Sequence, residues 1–189
     1  ADYAGYVCHA ERPRLSARLP DGHRFQGHLP PVVEAPSFTI RKHAKRRLTL
    51  KDLMRSKTLT PAQADRLLSS IEEHHNILIA GGTGSGKTTL MNALLPYVTE
   101  GGRRIVTIED TPELNTPDKT HRLALFVRPE VGFGWAEAVQ DALRLRPDTI
   151  IVGEVRDGAA LDLLKAWNTG HRGGLATVHA NSARDVPYR

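Results

Sequence analysis

The sequence has few features of secreted or membrane proteins. It contains one cysteine, Cys8, among 189 residues, so no internal disulfide can form and a reducing compartment is expected. No apolar run approaches the ~18 residues that a membrane-spanning helix needs. The first residues also lack the basic, apolar and small-residue pattern of a signal peptide. These absences favour a cytoplasmic protein.

Composition and charge indicate the kinds of partner to expect. Apolar residues make up 40% of the chain and charged residues 25%, which is typical of a folded globular protein. The formal net charge is +5, which favours acidic partners such as nucleotides, nucleic acid or anionic lipid. The charge alone does not choose among the three, and contact with nucleic acid stays open.

The N-terminal part of the chain is rich in turns. Pro20-Asp21-Gly22 predicts a turn between two short β-rich runs. We interpret residues 1–43 as part of a small α+β domain that is too short to bury its own core. The following residues, 44–59, begin with a run of basic residues that contains no acid before Asp52. This segment is predicted to be a solvated linker or, alternatively, a hinge that contacts an anion.

From residue 60 onwards, short β-rich runs alternate with helical patterns. Thr60-Pro61-Ala62-Gln63 predicts a helix start, because Thr60 and Gln63 can cap each other and Pro61 needs no amide partner there. Strands are predicted at 76–80, 104–108, 123–127, 149–152 and 175–178, and helices at 88–95, 135–145 and 159–169. Such alternation predicts an α/β fold with a mainly parallel sheet.

A glycine-rich loop between a strand and a helix is the strongest functional signal. Gly81-Gly82-Thr83-Gly84-Ser85-Gly86-Lys87-Thr88 matches the phosphate-loop pattern in full, and Thr89 follows it. The glycines let successive backbone amides point at phosphate oxygens, and the helix adds its positive N-terminal end. We expect Lys87 to lie along the β- and γ-phosphates of ATP and the Thr88 hydroxyl to bind Mg²⁺.

Acidic and histidine side chains follow three of the predicted strands. Glu109 and Asp110 come after the strand at 104–108, Glu154 after the strand at 149–152, and His179 after the strand at 175–178. Ligands bind at the carboxyl ends of strands in open α/β sheets, so these groups are candidates to hold metal, orient water or sense the γ-phosphate. No histidine spacing suits zinc, since His74 and His75 are adjacent, and we predict no zinc site.

Four segments together resemble a known family. GGTGSGKTTL at 81–90, TIEDTPEL at 107–114, LRLRPDTIIVGEVRD at 143–157 and GLATVHANS at 174–182 are similar to the signature boxes of the type II/type IV secretion ATPases. Within that family the chain looks most like the TrbB-type conjugative transfer ATPases. The resemblance covers about residues 38–182.

The resemblance implies a RecA-like P-loop ATPase domain over residues 60–189. It implies a homo-hexameric ring on the cytoplasmic face of the inner membrane, next to secretion-channel proteins. ATP hydrolysis there would power pilus assembly or substrate transfer.

The resemblance also implies residue roles. Glu109 corresponds to the family's acidic-box glutamate near metal and water, Glu154 to the glutamate that ends the second nucleotide motif, and His179 to the histidine-box residue. Arg41, in FTIRK at 38–42, matches the arginine that reaches the nucleotide from the N-terminal domain. Arg156 is a weaker candidate for a subunit contact.

Some features depart from the family pattern. Gly153 stands where other P-loop ATPases have an aspartate, a departure that the family shares. The chain begins with Ala1 and ends about ten residues after His179, so we expect a fragment truncated at both ends. On its own it is expected to fold at most partly, to leave the strand at 175–178 uncovered and to hydrolyse ATP poorly. A P-loop kinase and a nucleotide-binding remnant without turnover remain alternatives.

Overall fold

The computed structural model describes residues 8–42, 47–155 and 159–188 of the chain. The chain divides into two compact units, with the boundary between residues 46 and 47. The described residues of unit 1 form strands and turns, and the described α-helices belong to unit 2. None of these helices is long and apolar enough to cross a bilayer.

Unit 1 is built around a three-stranded antiparallel sheet. Its strands, in spatial order, are β1 (Arg14–Arg18), β2 (Arg24–His28) and β3 (Ser37–Arg41). The predicted turn joins β1 to β2: Gly22 has a φ of 84°, and its amide donates to the Leu19 carbonyl at 2.8 Å. A positive φ is easy only for glycine, so Gly22 fixes the turn.

The two faces of this small sheet differ in chemistry. Arg18, Arg24 and Arg41 pair in register across the three strands and share the polar face. On the opposite face the rings of Phe25 and Phe38 stack with their centroids 5.8 Å apart. Among residues 8–42 only two glycines are fully buried, and no large apolar side chain is.

Helix α1 (Leu50–Arg55) lies in the segment that the sequence analysis assigns to a basic linker. The Asp52 amide donates to Thr49 Oγ1 at 3.2 Å, and the Thr49 amide donates to Asp52 Oδ2 at 3.0 Å. Leu50 and Leu53 are buried. Residues 50–55 are therefore part of unit 2 and not a solvated linker, because a capping box and two apolar side chains outweigh the basic run.

Helix α2 (Pro61–Glu72) begins as predicted. The Gln63 amide donates to Thr60 Oγ1 at 3.3 Å, while the Thr60 amide donates to Gln63 Oε1 at 2.9 Å. Pro61 occupies the first turn, where its missing N–H leaves no bond unmade.

Unit 2 contains a five-stranded parallel sheet with helices on both faces. The strands are β4 (Ile77–Gly81), β5 (Ile105–Glu109), β6 (Arg122–Phe126), β7 (Thr149–Val155) and β8 (Leu175–His179), in spatial order β4-β8-β7-β5-β6. The remaining helices are α3 (Lys87–Val98), α4 (Trp135–Arg144) and α5 (Ala159–Asn168), with 3₁₀ turns at Glu100–Gly102, Pro129–Val131 and Ala183–Tyr188. The predicted α/β class with a mainly parallel sheet is confirmed.

The sheet separates two apolar clusters. On one face Ile79, Ile105 and Ile151 pack with side chains of α1, α2 and α3. On the other face Val106 and Ile150 pack with side chains of α4 and α5. Unit 2 therefore forms three layers. Because the five strands pair in parallel, their carboxyl ends lie at one edge of the sheet.

Strand β8 is covered, contrary to expectation. It lies between β4 and β7, and Leu175 and Ala176 are both 0% exposed. Leu175 packs in the cluster with α3, while Ala176 packs in the cluster with Trp167 of α5. The expectation of bare apolar surface on this strand is wrong, because an inner strand is covered by helices that precede it in the chain.

We predict that Gly174→Ala destabilises unit 2. A Cβ at this position would overlap Trp167 Nε1 and would lie 2.7 Å from the Ile150 carbonyl oxygen. Overpacking of this kind costs about 1–3 kcal/mol, and Trp167 is too buried to move away easily. Urea unfolding measures the change. Gly82→Ala is the control, because a Cβ there meets nothing within 4 Å, and equal stability of the two variants would contradict the prediction.

Candidate functional site

The glycine-rich loop connects β4 to α3 in the strand–loop–helix order that the sequence predicts. Gly84 and Gly86 have φ values of 73° and 91°, which side chains rarely adopt. Gly86 is the N-cap of α3 and supplies no capping side chain. The first bond of the helix runs from the Leu90 amide to the Gly86 carbonyl at 2.9 Å. The three preceding amides of α3 thus belong to the helix end, where backbone donors attract anions.

The loop leaves room for a ligand at its backbone. A Cβ at Gly82, Gly84 or Gly86 would meet nothing within 4 Å, whereas one at Gly81 would lie 2.5 Å from Ser85 Oγ. Lys87 Nζ donates to the Gly81 and Gly82 carbonyls at 2.9 and 2.8 Å, which holds its ammonium group at the loop. Open backbone, amide donors and an ammonium group together fit the phosphates of a nucleotide.

Glu154 and His179 contact each other at the carboxyl edge of the sheet. His179 Nε2 and Glu154 Oε1 are 2.6 Å apart, with side chains 47% and 19% exposed. His179 ends β8 and pairs in register with Gly81, the first residue of the glycine-rich loop. Glu154 lies within β7, which continues three residues beyond its predicted end. The topology therefore brings two separately predicted candidates together beside the loop.

Glu109, the last residue of β5, is 2% exposed and heavily hydrogen-bonded. Its Oε1 accepts from the amides of Glu113 and Leu114, each at 2.7 Å. Its Oε2 accepts from Arg122 Nη2 at 2.8 Å. Burial raises the pKa of the Glu109 carboxyl above its ordinary value, although the two amides and Arg122 act in the opposite direction. Oε1 therefore holds the loop that follows β5, and Oε2 is bonded to the first residue of β6.

Gly153 makes space for this buried carboxylate. A Cβ at position 153 would lie 3.3 Å from Glu109 Cγ and 3.5 Å from the Ile108 carbonyl oxygen. The Gly153 carbonyl accepts from Thr177 Oγ1 at 2.6 Å, which ties β7 to β8. The absence of the aspartate that other P-loop ATPases carry here thus has a steric reason: Glu109 of the neighbouring strand fills the space.

Sequence reasoning missed Arg122, which starts β6. Besides Glu109, its guanidinium donates to Thr107 Oγ1 at 2.9 Å and to the Leu114 carbonyl at 3.1 Å. Its side chain is 18% exposed, which is low for arginine. The only available signal was a charged residue directly before the predicted strand at 123–127, and such a residue is more often a solvated strand end.

The other predicted site residues are Arg41, Arg156, Thr88 and Thr89. Arg41 belongs to unit 1, where it ends β3 opposite Arg24 of β2. Arg156 lies outside the described residues. Thr88 and Thr89 are half-buried in the first turn of α3, where their amides and hydroxyls are close to the glycine-rich loop in sequence.

The sequence and the fold both match known proteins. The profile of a family described as Type II/IV secretion system protein matches residues 7–189. The chain belongs to this family. It is 48% identical to the conjugal transfer protein TrbB of Rhizobium radiobacter over 95% of the chain and 58% of that protein. It is 34% identical to the type IV secretion system protein VirB11 of Bartonella quintana over 97% of the chain and 62% of that protein.

These matches confirm the resemblance to type II/IV secretion proteins and, within them, to TrbB. The chain spans about three fifths of the length of the curated relatives.

Solved structures support the same relationship. The VirB11 ATPase from the Brucella suis type IV secretion system, in complex with sulphate, is 37% identical with a TM-score of 0.57, over 92% of this chain and 57% of that chain. The pilus retraction motor PilT with bound ADP is 25% identical with a TM-score of 0.69, over 93% of this chain and 50% of that chain. The fold of the family members extends across nearly all of this sequence.

We predict that Glu109→Ala is strongly destabilising. Removing one partner of a buried ion pair leaves the other charge without compensation and costs about 3–5 kcal/mol. Here Arg122 and two backbone amides would lose their acceptor. Chemical denaturation followed by circular dichroism measures the free energy of unfolding.

The matched control for Glu109→Ala is Asp141→Ala. Asp141 pairs with Arg144 at 3.3 Å, but both side chains are more than half exposed. Such surface pairs contribute about 0–1 kcal/mol. If Glu109→Ala lowered the free energy of unfolding no more than this control, the Glu109 carboxylate would not stabilise unit 2 as its contacts indicate.

Proposed function

We propose that this chain is the nucleotide-binding part of an ATP-hydrolysing motor in a conjugation or type IV secretion system. The observation that carries the proposal is the contact between His179 and Glu154 beside Gly81, because it joins an acid–base pair to a phosphate-binding loop. The names of the relatives, TrbB and VirB11, support the choice of biological system. Pilus assembly or substrate transfer would be the work that the motor performs.

ATP is the proposed substrate, held by residues 81–89. The loop amides and Lys87 would bind its phosphates, and the Thr88 hydroxyl would be a ligand of Mg²⁺. Bound Mg²⁺ would neutralise charge on the β- and γ-phosphates. The remaining catalytic work falls to side chains of the chain itself.

Glu154 is the proposed general base. It would accept a proton from the attacking water as the new oxygen–phosphorus bond forms and the bond to the β-phosphate oxygen breaks. His179, at 2.6 Å, would orient the Glu154 carboxylate. His179 is also the register neighbour of Gly81, which supports a role in sensing what the loop binds. A P-loop kinase, the alternative from sequence, gives this pair no role.

Glu109 was predicted to act close to the metal and the water, and that role stays a prediction. Its contacts favour a different contribution. Both carboxylate oxygens are occupied by amides and by Arg122, so Glu109 would position the loop carrying Asp110. The proposed role is thus support of the site from within the sheet.

Arg41 is proposed to stabilise charge on the nucleotide from unit 1. Arg41 stands in register with Arg24, which in turn pairs with Arg18, so three arginines share one face of the small sheet. The planar guanidinium suits phosphate oxygens. This concentration of positive charge supports the role that the family resemblance implies for Arg41.

The family relationship supports a proposal for the wider setting. We propose a homo-hexamer at the cytoplasmic face of the inner membrane, in contact with secretion-channel proteins. The net charge of +5 is compatible with an anionic surface but does not select one.

Lys87→Ala is expected to weaken nucleotide binding by at least about tenfold. A hydrogen bond to a charged group contributes about 1.5–3 kcal/mol, and each 1.4 kcal/mol is a factor of ten. Titration of the purified protein with a fluorescent ATP analogue and Mg²⁺ gives the Kd. Lys51→Ala, which removes an exposed lysine of α1, is the control. An unchanged Kd for Lys87→Ala would refute the phosphate-loop assignment.

Glu154→Gln, made in the full-length protein, is expected to bind ATP with nearly normal affinity and to hydrolyse it about 10²- to 10⁴-fold more slowly. The amide retains the shape and a hydrogen-bonding oxygen for His179 but cannot take the proton. Phosphate release and nucleotide titration separate the two effects. Glu130→Gln, at an exposed carboxylate, is the control. If Glu154→Gln turned ATP over near the wild-type rate, another group would be the general base and the role proposed for Glu154 would be wrong.

A further inference from the structure

The loop that follows β5 is clamped to α3 by a single side chain. Asn92 Nδ2 donates to the Glu113 carbonyl at 3.0 Å, and Asn92 Oδ1 accepts from the Asn115 amide at 2.8 Å. Both polar groups of the amide are thus bonded to the backbone of one short segment. We call residues 110–116 the acidic loop.

Asn92 belongs to the same rigid helix as the phosphate loop's last residues. It lies five positions after Lys87, about 7.5 Å further along the helix axis. Its neighbours Met91, Ala93 and Leu94 are buried at 0–2% exposure, so this part of α3 is tightly packed and its side chains have little freedom. A shift of α3 as a rigid body, started at its N-terminal turn, would therefore move Asn92 as well.

The acidic loop is also bonded at its far end. The Thr116 carbonyl accepts from Arg47 Nη2 at 3.0 Å. Arg47 is the first residue of unit 2. Hydrogen bonds therefore run from α3 through Asn92 to the acidic loop and from the loop to Arg47.

We propose that Asn92 is a positioning residue that transmits nucleotide occupancy at the phosphate loop to the acidic loop and, through Thr116, to Arg47. The proposal rests on the proposed nucleotide binding and adds a route by which it changes the acidic loop. A residue that only anchors the acidic loop would restrain it equally with and without nucleotide. A transmitting residue makes the restraint depend on nucleotide.

Amide hydrogen exchange of the full-length protein, with and without a non-hydrolysable ATP analogue and Mg²⁺, tests the proposal. In the wild type, the analogue should slow exchange at 84–90 and also at 112–116, the latter by about 2- to 12-fold, the range of one net hydrogen bond. In Asn92→Ala, the slowing at 84–90 should persist, while the ratio with and without analogue at 112–116 should fall to about one.

Two further variants sharpen the test. Asn92→Asp keeps the acceptor for the Asn115 amide and loses the donor to the Glu113 carbonyl, so an intermediate ratio is expected; it also serves if Asn92→Ala does not fold. Asn168→Ala, an exposed asparagine at the end of α5, should behave as the wild type.

The outcomes separate this proposal from the proposed function. If the analogue protects both segments equally in the wild type and in Asn92→Ala, Asn92 does not transmit occupancy, although nucleotide binding stands. If it protects neither segment in the wild type, nucleotide binding itself is refuted, and this proposal with it.

Discussion

The site depends on a carboxylate buried inside the sheet. Glu109 ends the strand β5 with almost no exposure, and its two oxygens hold two loop amides and the Arg122 guanidinium. A buried charge is tolerated only when such partners compensate for lost hydration. This one requirement explains a glycine at position 153, the arginine at the start of β6 and the fixed course of the acidic loop.

The glycine-rich loop obeys a different constraint, that of a helix end without a side-chain cap. Gly86, the N-cap of α3, has a left-handed backbone conformation and no side chain that could accept hydrogen bonds from the first amides of the helix. Further along the helix, Met91 and Leu94 are buried in the core. The same helix thus offers anion-binding donors at one end and, through Asn92, a firm attachment for the acidic loop further along.

Local patterns predicted much of this arrangement, and their failures have identifiable causes. The Thr60–Gln63 cap, the turn at Gly22 and the alternation of strands and helices depend on neighbours in sequence and were read correctly. Helix α1 was not predicted, because the run of basic residues was given more weight than the Thr49–Asp52 capping box. The covering of β8 was misjudged because strand order, which places it inside the sheet, is not a local property.

The sequence by itself determined the family, the α/β class and the position of the glycine-rich loop, since each depends on residue types at fixed short spacings. It also nominated Glu109, Glu154 and His179 one by one. Only the tertiary structure decided that His179 and Glu154 touch, that Glu109 is bound to Arg122, and that Asn92 bridges to the acidic loop. These contacts join residues that are 13 to 25 positions apart, through the order in which parallel strands and helices pack, and no local pattern encodes that order.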